Sequence, residues 1–408
     1  MVVVGILGII LKFSFLYFFL RKSSFKTLDS SSYLLLSNNF DQAFIFNSDH
    51  LAAASLFRTP GYPVFLSILP SIKSIILTQI LLHFFLSLIS ILIFRIVHGS
   101  KNPKLEFGLF LLTQIETSLL VYSFRILSEI LFAFFVILFA YLLIKKLNKM
   151  TDSKLGIYLP TILFCLLLVR PIGLILMAVF FILLIFSNHK AFYLKLLIIT
   201  VVIYSSYSAY NFFRLGVFTF STVQNEHLLF YQGAAAKAIT NSTALIAAQE
   251  EEKQIRKFNI GLSPSIGVTN MYNGDRGVQL ILENKLSFLK LNSTGVIKNL
   301  YGPNRFEINQ LLSDEGRIIK NQPITNIALG LSFVITFLIS TAGVLGLILL
   351  SRKAESNKFI AILVSLLILF ASGAGAYGRF RVPVAAFLSI YAILLFNYVI
   401  KRRDWNLT

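Results

Sequence analysis

The chain has 408 residues, 56% of them hydrophobic and only 13% charged, with a formal net charge of +19. An ordinary soluble domain carries about 25% charged residues, so the composition excludes that class and indicates an all-α polytopic membrane protein. The positive balance fits basic helix ends and anionic lipid, and the absence of any basic–aromatic module argues against nucleic acid as a partner. The single cysteine, Cys165, excludes an intrachain disulfide and a cysteine metal site.

In chain order, residues 2–20 read as a retained first helix, because they lack a charged n-region and an A-x-A cleavage site. Apolar runs then predict helices near 74–97, 105–123, 126–144, 155–169, 171–187, 191–211, 324–350, 358–376 and 382–400, about ten in all. The segments 98–104, 145–154, 187–190, 351–358 and 401–408 are basic, so the positive-inside rule puts them, and both termini, in the cytoplasm. Arg21, Lys22 and Lys26 run against that assignment and suggest cations available to a lipid phosphate near the outer face.

Three regions follow: an N-terminal membrane module over 1–211 with an outer loop at 21–73, a large outer loop over 212–323, and C-terminal membrane helices over 324–408. The second loop contains Q-E-E-E-K-Q (249–254) and Y-G-P-N-R-F-E (301–307), and helical stretches are expected around 233–258 and 278–290. So long a connection is not structureless in a compact fold.

The first outer loop concentrates reactive and rigid residues. Asp29 closely follows the first helix and reads either as a helix cap or as a general base at the water–lipid boundary. In R-T-P-G-Y-P (58–63) the prolines fix a rigid turn that presents Arg58 and Tyr62. Glu129 opens the fourth helix; it either pairs locally with Arg125 or faces the site. Arg170, Arg379 and Arg381 fall at outer helix ends, where a planar guanidinium either snorkels to headgroups or grips phosphate oxygens. The five histidines show no metal-ligand spacing, and no P-loop, G-x-G-x-x-G or G-x-S-x-G motif occurs.

The order of these features resembles a known family. D-S-x-x-Y (Asp29 to Tyr33), R-T-P-G-Y-P, Ser128-Glu129, V-R-P-x-G-L (169–174) and G-R-F-R-V-P (378–383) are similar to the GT-C superfamily of integral membrane glycosyltransferases, in the branch of protein O-mannosyltransferases and the lipid A aminoarabinose transferase. The resemblance implies a polyprenyl-phosphate sugar donor, inverting transfer on the outer face, and a catalytic aspartate at Asp29. It also puts Glu129 in the active cavity; with Tyr33, Arg58, Tyr62, Arg170, Arg379 and Arg381, Glu129 makes up the expected substrate-binding set, with a glycan, lipid or protein acceptor. Relatives often carry Asp-Glu where this chain has Asp29-Ser30, which leaves a divalent metal ion an open question; Asp41 and Asp49 are possible helpers that the resemblance does not place, and Asp49-His50 could join a metal site. A bacterial inner membrane fits the single cysteine and the lysine-rich ends. The alternatives are an O-antigen ligase or polymerase using a polyprenyl-pyrophosphate glycan, and a lipid or solute transporter, which would show repeated helix groups and charges at mid-depth.

Overall fold

The computed structural model describes residues 25–46, 49–150, 155–312, 323–352, 354–375 and 377–405. The expected helix at 2–20, with Arg21 and Lys22, lies outside them. The architecture is all-α among the described residues. Among the described residues, five helices are long and apolar enough to cross a membrane: Ile72–His98, Glu129–Leu147, Lys190–Leu215, Thr325–Leu350 and Gly378–Ile400. The chain is a multi-pass membrane protein.

The segment ahead of the first long helix folds into four short helices: α1 (Leu28–Asn38), α2 (Phe40–Phe44), α3 (Asp49–Phe57) and α4 (Gly61–Ser67). The long α5 (Ile72–His98) follows, then α6 (Pro103–Ile115) and α7 (Thr117–Tyr122). The sequence predicted one helix over 105–123, and the break falls at Glu116. Its backbone is non-helical (ψ 120°), and its Oε2 accepts the Leu119 amide at 2.8 Å. A carboxylate inside an apolar run here caps a new helix rather than crossing lipid.

Next come α8 (Glu129–Leu147), α9 (Leu155–Val169), a 3₁₀ turn at Pro171–Leu174, α10 (Ile175–Phe186) and α11 (Lys190–Leu215). α9 and α10 are shorter than the full spans, as the Arg170-Pro171 break requires. The second loop is helical: α12 (Val223–His227), a π-turn (Leu228–Gly233), α13 (Ala234–Thr240), α14 (Leu245–Ile260), α15 (Ile266–Glu283), α16 (Lys285–Tyr301) and α17 (Arg305–Leu312). The expected stretch 233–258 is thus interrupted at 241–244, and the Lys285 junction splits 278–290. α18 (Pro323–Leu350), α19 (Glu355–Phe370), a 3₁₀ turn at Gly378–Arg381 and α20 (Val382–Trp405) complete the bundle. α19 stops at Phe370 rather than 376, and a glycine-containing connection carries the chain into the 3₁₀ turn.

α20 is the central post. Val382, Val384, Ala385, Phe387, Leu388, Ile390 and Tyr391 are all fully buried, so it is apolar on every side. α18 reaches it through glycines: a Cβ on Gly343 would stand 2.5 Å from the Leu388 carbonyl oxygen. Small residues let membrane helices approach backbone to backbone and gain dispersion contacts where no hydrophobic drive exists. α8 packs between α5 and α20 with Ile130, Phe132, Ala133 and Ala140 buried. α11, by contrast, exposes Ile198, Val202 and Phe213, as a lipid-facing helix does. Up-and-down connectivity brings the start of α8, the end of α9 and the start of α20 to the same end of the bundle. At the opposite end, Arg95 clamps Glu106 with two bonds of 2.9 and 2.7 Å.

Candidate active site

Asp29 sits in the first turn of α1, but it is not the cap. Thr27 caps that helix, with Ser30 returning a bond to the Thr27 amide at 2.8 Å. Ser30 also donates to the Ile126 carbonyl at 2.8 Å, tying α1 to the chain just before α8. This leaves the Asp29 side chain free to face the helix ends. Its Oδ1 accepts from Arg58 Nη2 at 2.6 Å, and its Oδ2 accepts from Arg379 Nη1 at 2.6 Å.

Arg58 is delivered by the proline turn. Its amide closes α3 on Ala54 at 3.0 Å, and Pro60 starts α4 with φ −72°. Gly61 lies so close to α9 that a Cβ would meet the Leu168 carbonyl at 2.6 Å. Tyr62 then points inward, donating to Gln79 on α5 at 2.9 Å. Its ring meets that of Tyr33 edge-on at 4.8 Å, and the Arg58 guanidinium lies 4.7 Å above the Tyr33 ring. Both tyrosines are buried, and Tyr33, backed by Tyr62, supports Arg58.

The second carboxylate is Glu129, at the first turn of α8 and fully buried. Its partners are not Arg125: Oε1 takes Arg170 Nη1 at 2.6 Å and also Arg379 Nε. Arg125 instead donates to the Glu307 carbonyl at 2.6 Å. Glu129 Oε2 has no hydrogen-bond partner among the described residues. Five of the expected residues, Asp29, Arg58, Glu129, Arg170 and Arg379, therefore form one chain of ion pairs. Two carboxylates against three guanidiniums leave one positive charge. Asp29 is the open end, with its side chain 33% exposed, while the three arginines are 13–16% exposed.

Burial would raise the Asp29 carboxyl, but Arg379 and Arg58 outweigh it and hold the group at about 2. Such a carboxylate is ionised at every physiological pH.

Arg381, expected beside Arg379, is apart from this cluster. It is 1% exposed, pairs with Glu116 at 3.0 Å, and donates to the Leu300 and Gly302 carbonyls at 3.1 and 3.2 Å. It ties the end of α16 to the membrane helices. The reason is local: in a 3₁₀ turn, residues two apart point to different sides, so Arg379 and Arg381 diverge. Asp41 is exposed on α2 and pairs with none of the five; the side chains of Asp49 and His50 lie outside the described residues.

The sequence did not single out four further residues. Tyr122 donates to Glu307 Oε1 at 2.6 Å, and the Tyr377 hydroxyl lies 3.4 Å from Arg379 Nη1. Glu226 is brought near Arg58 because the 221–222 segment is stitched to the end of α3, through Ser221 Oγ to Phe57 O (2.9 Å) and Thr222 N to Leu56 O (3.0 Å). Burial raises the Glu226 carboxyl against the opposing pull of Arg256 and Arg58. Glu307 and Glu226 lie in the 212–323 region among many other acids, with no spacing that linked them to the site.

No group of three or more His, Cys, Asp or Glu side chains converges among the described residues, and both carboxylates are occupied by guanidiniums. The cluster sets three arginines against two carboxylates at one end of the bundle, and a planar guanidinium suits phosphate oxygens as well as carboxylates.

No family profile and no curated protein matches the chain. Among solved structures it is similar to the oligosaccharyltransferase of Archaeoglobus fulgidus. With the crystal structure of that enzyme tethered to an acceptor peptide containing the NVT sequon, identity is 16% and the TM-score 0.49, over 92% of this chain and 46% of the other. With its apo form the values are 14% and 0.47, over 91% and 50%. With AglB in complex with an inhibitory peptide and a dolichol-phosphate they are 14% and 0.45, over 91% and 46%. The chain spans about half the length of the archaeal chains to which it is similar.

Proposed function

We propose that the chain is an inverting glycosyltransferase that takes a sugar from a polyprenyl-phosphate donor at the outer face of the membrane. The observation that carries this reading is Asp29, partly open to solvent and held between Arg58 and Arg379 at one end of an apolar bundle. The phosphate lies on Arg58, Arg170 and Arg379, and the polyprenyl tail runs along the lipid-facing helices. The acceptor hydroxyl gives its proton to Asp29 while its oxygen attacks the anomeric carbon. The bond from that carbon to the phosphate oxygen breaks, and its electron pair leaves with the phosphate, whose growing charge the arginines stabilise. The acceptor oxygen enters opposite the leaving phosphate, so the anomeric configuration inverts. Phosphate needs no general acid to leave, so one carboxylate suffices.

Charge balance favours a monophosphate over a pyrophosphate donor. A polyprenyl-phosphate sugar is a phosphodiester bearing about one negative charge, matching the single excess positive charge of the cluster, whereas a pyrophosphate diester brings about two. The test gives purified protein radiolabelled polyprenyl-phosphate and polyprenyl-pyrophosphate sugars in competition. Preferential binding of the monophosphate, with sugar release, supports the reading; preference for the pyrophosphate moves the protein to the ligase class.

A further inference from the structure

Both oxygens of Asp29 are spent on arginines: Oδ1 on Arg58, from the proline turn, and Oδ2 on Arg379, from the turn before α20. A carboxylate so held is poorly basic, since a general base works best with a pKa near the working pH. The same two guanidiniums are the ones a phosphate would engage. Resting on the transferase reading, we propose that donor phosphate draws Arg58 and Arg379 off Asp29 and so turns this carboxylate into a working base only once the donor is seated.

The surroundings allow such an exchange. Arg58 and Arg379 come from separate segments, and each keeps an anchor when it swings: Arg58 on the Tyr33 ring and hydroxyl (3.4 Å), Arg379 on Glu129 through Nε. Arg379 therefore offers Nη1, the atom now on Asp29, without leaving Glu129. The other titratable groups around Asp29 are Tyr33, Tyr377, Glu129, Arg170 and, beyond Arg58, Glu226; the cations that hold its proton affinity down are Arg379 and Arg58. An acceptor that arrives first meets a base with no capacity for its proton. Donor is bound first, and an unloaded site does no chemistry on hydroxyls.

The test reads the proton affinity of Asp29 directly. Full-length protein in detergent is treated at about pH 5.5 with a water-soluble carbodiimide and glycine ethyl ester, which couple to protonated carboxyls, and Asp29 modification is counted by peptide mass spectrometry. Farnesyl phosphate serves as probe, farnesol as control, and binding of each is measured separately. Each unit rise in pKa multiplies the protonated fraction about tenfold, so saturating farnesyl phosphate is expected to raise Asp29 coupling about tenfold or more, and farnesol to leave it unchanged. Arg58→Gln, which removes one clamp, is expected to raise coupling without any ligand. If farnesyl phosphate binds and Asp29 coupling stays flat or falls, the exchange does not occur and only this proposal is overturned. If Arg58→Gln leaves coupling unchanged, the clamp is not what sets the basicity and the proposal is likewise overturned. If farnesyl phosphate does not bind at all, the phosphate reading of the site fails and takes the proposal with it.

Discussion

The carboxylates of Asp29 and Glu129 meet across one guanidinium, that of Arg379, which gives Nη1 to the first and Nε to the second. One of these acids is partly open and the other fully buried. The buried one also holds Arg170, so it sets the positions of two cations. In the proposed phosphate site, Glu129 is therefore assigned a positioning role. Glu129→Gln keeps the shape but loses two charge-assisted bonds, each worth about 1.5–3 kcal/mol. The expected outcome is a fall of about tenfold or more in affinity for a polyprenyl phosphate, read by equilibrium binding. Unchanged affinity would show that Arg170 and Arg379 are placed by something else.

Arg381 sets the contrast. It is sealed from solvent and paired with Glu116, itself 1% exposed. Removing one partner of a buried pair leaves the other charge uncompensated, at about 3–5 kcal/mol. Arg381→Gln is expected to lower the thermal melting point in detergent markedly, while the folded fraction binds polyprenyl phosphate with the affinity of the unaltered protein. Loss of binding without loss of melting temperature would place Arg381 in the site after all.

Gly61 tests the turn that presents Arg58. A Cβ there would stand 2.6 Å from Leu168 backbone atoms and 2.7 Å from the Val169 amide nitrogen, and backbone cannot move aside as a side-chain tip can. Gly61→Ala is expected to cost about 1–3 kcal/mol, and to displace Arg58 from Asp29. Thermal denaturation of the purified variant measures the first effect; a melting point equal to that of the parent contradicts the packing described.

Asp29 makes the pH dependence of binding specific. Its folded value, about 2, lies below the ordinary 3.8, so the stabilisation from its ion pairs is complete above about pH 4–5 and is lost as pH falls through about 2. The cluster keeps its single positive charge across the neutral range. A phosphodiester that draws the arginines off Asp29 raises its proton affinity, so by linkage affinity is expected to be flat from about pH 7 to 9 and to strengthen at lower pH in direct binding measurements. A titration step in that window would mean that a different group controls the site.

The helices were legible because membrane spans are written in composition. The gathering of the charges was legible too: Asp29, Arg58, Glu129, Arg170 and Arg379 each stand at a break next to an apolar run, and alternating connectivity brings alternate breaks to one end. The break at Glu116 was readable in principle, as a carboxylate inside a run that otherwise reads as a span. Three features were not. The divergence of Arg379 and Arg381 depends on a four-residue 3₁₀ turn. Tyr62 looks like a ligand in the sequence, yet its hydroxyl is consumed by Gln79 on α5. Glu307 and Glu226 reach the cluster only through long-range contacts of the 212–323 region, to Tyr122 and to the end of α3, which no local periodicity encodes.

The most direct test of the central claim compares the parent protein with Asp29→Asn, scoring polyprenyl-phosphate sugar binding and sugar transfer separately. Asparagine keeps the size of the side chain and removes its charge and its basicity. The account predicts that donor binding persists or tightens, since two arginines are released, while turnover falls by about 10²–10⁴-fold, as when a general base is removed. Turnover that survives the substitution would contradict it.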